Sequence, residues 1–132
     1  MPKETKQLDK FIQRILKEAK ITPLVVVVAL MYLHKLKDIL PKDAVGGEDT
    51  ATRLFLSAIL IASKNCYDYC LRTKKLARYT IGLYSTKELF KMEMSLLKLL
   101  NYELYVCQET IDLFLATHSM DANEIGLFVQ SK

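Results

Sequence analysis

Lys64 and Glu93 are the two charges in this chain whose surroundings least explain them. Lys64 ends the stretch Thr52–Lys64, TRLFLSAILIASK, in which Leu54–Ala62 holds no charge and only Ser57 is polar. At helical spacing Lys64 shares a face with Leu60 and Ile61. Glu93 is the mirror case: its same-face neighbours are Leu89, Phe90, Leu96 and Leu97, and none can pair with it. A carboxylate on an apolar face costs stability until it finds a cation. Three resolutions stand open. The Lys64 stem can run along Leu60 with its ammonium in water. It can pair with Asp68, four residues on. Or Lys64 and Glu93 meet each other or an outside partner.

Other chemistry is harder to assemble. Cys66 and Cys70 are spaced C-x3-C, but the chain has only two histidines, His34 and His118, and nothing converges four ligands as zinc requires. There is no glycine-rich phosphate loop, and the pair Gly46-Gly47 has acids beside it. No Ser-His-Asp or Cys-His set suggests itself. Neither catalysis, a metal nor a cofactor is expected.

The elements that must position these residues are helical. With 132 residues, 51% of them hydrophobic, and only 4 glycines and 3 prolines, a single all-α domain with a sizeable core is expected. Leu8, Phe11, Ile12, Ile15, Leu16 and Ala19 recur at helical spacing over 8–20. Thr22-Pro23 is a cap followed by proline at the first helical position. The valines that follow favour strands, but they run unbroken into ALMYLHKLKDIL, so a second helix to Pro41 is expected. Pro41–Thr50 reads as a loop, with Asp49 or Thr50 capping the third helix. That helix, apolar on all sides, must be enclosed by the others, and it reads as the most apolar of the chain. Cys66–Leu71 is a connector, and Leu76–Tyr79 a short helix ending near Gly82. Ser85 and Glu88 form a capping box that opens a fifth helix, with Asn101 as its stop. ELYVC is extended, and Glu109–His118 begins a sixth helix.

Charge is uneven. Residues 1–100 carry 18 Lys and Arg against 10 Asp and Glu, and residues 101–132 carry 1 against 5. A basic cluster, Arg72-Thr73-Lys74-Lys75-Leu76-Ala77-Arg78, invites an acidic, phosphorylated or nucleic-acid partner, or is simply a solvated surface. Three cysteines and no hydrophobic signal core in MPKETKQ imply free thiols inside the cell, nuclear or cytoplasmic. The longest apolar run, Leu24–Leu33, falls short of the roughly 18–20 residues that cross a bilayer.

IASK at Ile61–Lys64, followed by KMEMSLLKLLNYEL at Lys91–Leu104, resembles the cyclin box. YLHKLKDILPKDA (Tyr32–Ala44), TRLFLSAILIASK and ARYTIGLYS (Ala77–Ser85) agree with it, and the whole is most similar to the single-box yeast cyclins of the Pcl type, which serve the phosphate- and glycogen-pathway cyclin-dependent kinase. The resemblance implies a cyclin-box fold over 8–107, five helices around the buried third, with 108–132 as a C-terminal helix and acidic tail. It implies a noncatalytic regulatory subunit that binds and activates a cyclin-dependent kinase as a heterodimer, with neither membrane nor nucleic acid as partner. By resemblance Lys64 and Glu93 contact the kinase's mobile helix, with Ile61, Leu97, Tyr102 and Leu104 as apolar contacts. Departures fall at Asn65, where a large apolar residue is usual, at Leu76, where the group often has tryptophan, and at His34, usually aspartate. Asn65 and Leu76 leave open a scaffold that binds without activating, and the basic body leaves open a cyclin-fold factor that binds nucleic acid.

Overall fold

The computed structural model describes residues 3–39, 48–65 and 72–117. Among them are six helices and no strand: α1 (Lys3–Glu18), α2 (Pro23–Ile39), α3 (Glu48–Asn65), α4 (Thr73–Tyr79), α5 (Thr86–Leu99) and α6 (Gln108–Thr117). The loop expected around Gly46-Gly47, the connector Cys66–Leu71 and the segment after Thr117 lie outside the described residues.

α3 is the centre. Leu56 to Ser63 are eight consecutive buried residues, so every side of that helix is covered. It packs between α2 and α5; α4 lies against α5, and α6 against α2. Its polar side chains turn back on their own backbone: the Ser57 hydroxyl donates to the Arg53 carbonyl at 2.7 Å and Ser63 to that of Leu60 at 3.1 Å. Burying Leu56, Ile59 or Leu60 stabilises the fold by roughly 1.5–3 kcal/mol each. Two details differ from expectation. The helix begins at Glu48, so Asp49 and Thr50 lie inside its first turn and do not cap it. And α2 is the more apolar helix overall, because α3 opens on the polar EDTATR.

In α2 the strand-prone valines are helical because packing outweighs intrinsic preference. Val25 to Ala29 are all buried, and the Val25 N–H donates to Thr22 Oγ1 at 3.3 Å, as a cap before Pro23 should accept it. α1 starts at Lys3, five residues before its apolar pattern, since Lys, Glu and Gln extend a helix readily.

Two helices end in the same left-handed stop. After α1, Lys20 takes φ +54°, its N–H donates to Lys17 O, and Ile21 N–H reaches back to Leu16 O; Ile21 and Leu16 are both buried, the apolar contact that accompanies this motif. After α5, Asn101 and Tyr102 take φ +56° and +58°, with N–H bonds to Lys98 O and Leu97 O. The second stop reverses the chain so that Glu103 and Leu104 return toward the end of α3. Ser85 and Glu88 form the expected capping box at the start of α5.

Candidate functional site

Lys64 and Glu93 meet each other. Lys64 Nζ donates to both carboxylate oxygens of Glu93, at 2.9 Å each, and to Thr73 Oγ1 at 3.2 Å. One ammonium thereby ties the end of α3 to the middle of α5 and the first residue of α4. The two partners differ in exposure: the Glu93 side chain keeps 6% of its surface and that of Lys64 keeps 39%. Glu93 sits at the margin of an apolar face whose other members, Leu89, Met92 and Leu96, are core. Its carboxylate is therefore desolvated and depends on Lys64, whereas Lys64 keeps a path to water.

A second polar closure lies beside the first. Asn65 Nδ2 donates to the Tyr32 hydroxyl and to the Leu104 carbonyl, each at 2.9 Å. Tyr32 OH donates to the same carbonyl at 2.8 Å. A buried tyrosine needs such a partner for its hydroxyl. Lys35 adds bonds to the Glu103 carbonyl at 3.2 Å and to its carboxylate at 2.8 Å. The Lys35 hydrogen bond and then its charge hold the Glu103 carboxyl below the usual 4.5. So α2 and the end of α3 grip the backbone of 103–104 as it leaves α5.

These closures fix a surface strip. Glu93 and Leu97 lie on one stripe of α5, and Phe90, one turn before Glu93, extends it. Phe90 is 55% exposed and Tyr102 57% exposed, while Leu97 and Leu104 are half-buried against the core. Ile61 is buried in the core and offers almost no exposed surface. The sequence offers a sign of Phe90, an apolar neighbour of Glu93 on an otherwise core-facing stripe. It offers none of the supporting roles of Thr73, Tyr32, Lys35 and Asn65, because their partners lie far along the chain.

The departures from the resemblance also find places. Leu76 is fully buried in the core. His34 is exposed and meets the Phe114 ring edge-on, centroids 5.2 Å apart, joining α2 to α6. Hydrogen bonds at Thr110, first to its backbone and then to its hydroxyl, pull the Cys107 thiol below its ordinary value. Cys66, Cys70, Asp68 and His118 lie outside the described residues. Among the described residues no three His, Cys, Asp or Glu side chains gather as metal ligands, and no helix is long and apolar enough to cross a membrane.

An all-helical box whose third helix is enclosed by its neighbours and ends on a lysine tied to a glutamate of the fifth is a cyclin-box fold. The family model of the cyclin N-terminal domain matches residues 2–105, and this chain belongs to the cyclin family. It is similar to three cyclins of Saccharomyces cerevisiae. It is 38% identical over 104 residues to PHO85 cyclin-1, a match covering 79% of this chain and 37% of that protein. It is 30% identical over 104 residues to PHO85 cyclin-2, covering 79% and 34%, and 29% identical over 99 residues to PHO85 cyclin-9, covering 75% and 33%. The chain thus spans little more than a third of the length of these relatives. No solved structure matches it.

Proposed function

We propose that this domain is a noncatalytic regulatory subunit that binds a cyclin-dependent protein kinase as a heterodimer and activates it. The relatives' names make them cyclins of PHO85, which supports a kinase of that class as partner. The observation that carries the reading is the Lys64–Glu93–Thr73 closure at the edge of a strip with exposed Phe90 and Tyr102. A half-open ammonium held in place by two acceptors is a preorganised polar marker, and apolar side chains beside it supply burial. Leu97 and Leu104 complete the strip at half-burial, and Ile61 lies buried in the core.

Activation follows by population shift. An active kinase pairs a strand lysine with a glutamate of its mobile helix. A partner that binds only that arrangement favours it by as much as its affinity for the two states differs. Asn65 does not offer the apolar contact that the resemblance places after the lysine; its amide is committed to Tyr32 and Leu104. The contact is carried instead by Tyr102, two residues before the Leu104 carbonyl that this amide holds.

Because Glu93 is buried, a single truncation at the pair confounds folding with binding. The test therefore uses Tyr102→Ala and Phe90→Ala, whose side chains are more than half exposed. Both variants are expected to melt with wild type and to lose binding to a PHO85-type kinase by about tenfold or more, as interface aromatics do. Full binding and activation by both would overturn the reading. Retained binding with lost activation would reduce the domain to a scaffold.

A further inference from the structure

α4 ends on a left-handed residue, Ile81, whose N–H donates to Arg78 O at 3.0 Å, and what sets this stop apart is the side chain it carries. Ile81 takes φ +54°, a left-handed conformation that a β-branched residue rarely adopts, and it is 73% exposed. Leu83, two residues on, is 64% exposed. Gly82 between them also has positive φ, and a Cβ there would meet open space. Two aliphatic side chains thus stand in solvent at a turn, one of them at a conformational cost. Such outliers persist where the surroundings over-determine them, and they gather at binding sites.

The surroundings do over-determine this one. The Thr80 hydroxyl donates to Ala77 O at 2.7 Å and accepts from Tyr84 N at 3.3 Å, and Leu83 N–H donates to Thr80 O at 3.2 Å. Thr80 is fully buried, and Tyr84 is buried with the Arg53 guanidinium over its ring at 5.6 Å. The Ser85–Glu88 capping box closes the far side. Ile81 and Leu83 are therefore presented by a rigid turn, which lowers the entropy lost when a partner lands.

Cations flank them along the chain. Lys74, Lys75 and Arg78 occupy the solvent side of α4, and Lys87 and Lys91, one turn apart, that of α5; all five are exposed. Among the described residues none of the five is in an ion pair. The exposed acid nearby, Glu88, is engaged as a cap.

The geometry points to this corner as a docking surface for an acidic protein segment with aliphatic anchors. Carboxylates would lie over the lysines and Arg78, and a branched side chain would cover Ile81 and Leu83. Two features favour a peptide over nucleic acid. The anchors are aliphatic, so they give bases nothing to stack on. They also fall in the chain between the basic residues of α4 and those of α5, so apolar anchors are flanked by charge as in a protein interface with a polar rim. Ile81, Leu83 and the α4 cations are not members of the Phe90–Tyr102 strip, although Lys87 and Lys91 adjoin Phe90 on α5, and the test does not depend on the kinase.

The probe is a display library of random linear peptides, panned on wild type and on Ile81→Gly. Glycine relieves the left-handed strain, so this variant is expected to melt no lower than wild type, which separates binding from folding. Wild type should enrich peptides rich in Asp and Glu with interspersed Leu or Ile. Their affinity should fall about tenfold on Ile81→Gly and on Lys74→Glu/Arg78→Glu, and should weaken as salt rises. Three results would overturn the proposal: enrichment without acidic bias, no enrichment, or peptides held equally by Ile81→Gly. Tighter binding of single-stranded oligo-dT, indifferent to Ile81→Gly, would reassign the corner to nucleic acid.

Discussion

Two ion pairs stand side by side in this domain and look alike by distance. Lys64 meets Glu93 at 2.9 Å, and Lys35 meets Glu103 at 2.8 Å. Their settings differ. Glu93 keeps 6% of its side-chain surface, and Glu103 keeps 64%. Glu93 without its lysine is a charge stranded at the edge of the core; Glu103 without its lysine is an ordinary surface carboxylate. Distance therefore says little about what each pair contributes, and the exposure of the weaker-hydrated partner says most of it. The first pair holds three helices and borders the proposed interface. The second trims the position of one extended segment.

The comparison breaks most sharply at Lys64. Lys64→Met should destabilise the fold by about 3 kcal/mol, because the buried carboxylate is left unpaired. Glu93→Gln should cost less, about 1–2 kcal/mol, since the amide still accepts a hydrogen bond and Lys64 can turn to water. Urea unfolding of the two variants measures both. Equal costs, or a larger one for Glu93→Gln, would show that the two partners are not buried as unequally as their surfaces indicate. The double variant Lys64→Met/Glu93→Leu should recover part of the stability lost by Lys64→Met, since no charge remains unsolvated.

Between the two ion pairs stands the neutral closure of Tyr32, Asn65 and Leu104. Tyr32→Phe removes one of the donors to the Leu104 carbonyl and leaves the Asn65 amide on it. A loss of about 1 kcal/mol is expected, with faster amide hydrogen exchange at Glu103 and Leu104 and unchanged exchange within α3. Unchanged exchange at 103–104 would mean that the left-handed stop at Asn101-Tyr102 alone holds that segment.

What could be read from the sequence divides along the same line. Devices made by neighbours were legible: Thr22-Pro23, the Ser85–Glu88 box, the stop at Asn101 and the all-round apolarity of α3 each follow from residues within a turn or two. Lys64 and Glu93 were legible as two charges out of place, and meeting each other was one of three open outcomes. Asn65 shows where such reading ends. By type it marks the loss of an apolar contact, yet its side chain fastens residues 33 and 39 positions away, which no local pattern encodes. The start of α3 was misplaced for a similar reason: Glu48, Asp49 and Thr50 all suit a first helical turn, and spacing alone does not say which comes first.

The smallest effect should come from Lys35→Met, and its sign is fixed by the Glu103 carboxyl. Lys35 lowers that group below 4.5 in the folded chain, so the folded state holds its proton less tightly than the unfolded one. The contribution to stability is then fully present above the ordinary value and fades as pH falls through the lowered one. Because Glu103 is exposed, the effect should be lost within the error of a denaturant melt, yet visible when the carboxyl is titrated by NMR. The Glu103 midpoint should lie below 4.5 in wild type and move up to it in Lys35→Met. High salt should produce much of the same rise without any substitution, since exposed charges are screened and buried ones far less so. Lys64–Glu93 should resist that treatment, with the cost of Lys64→Met nearly unchanged between low and high salt. If salt weakened both pairs alike, burial would not be what separates them, and Lys64 would be free to leave Glu93 for a kinase at little cost.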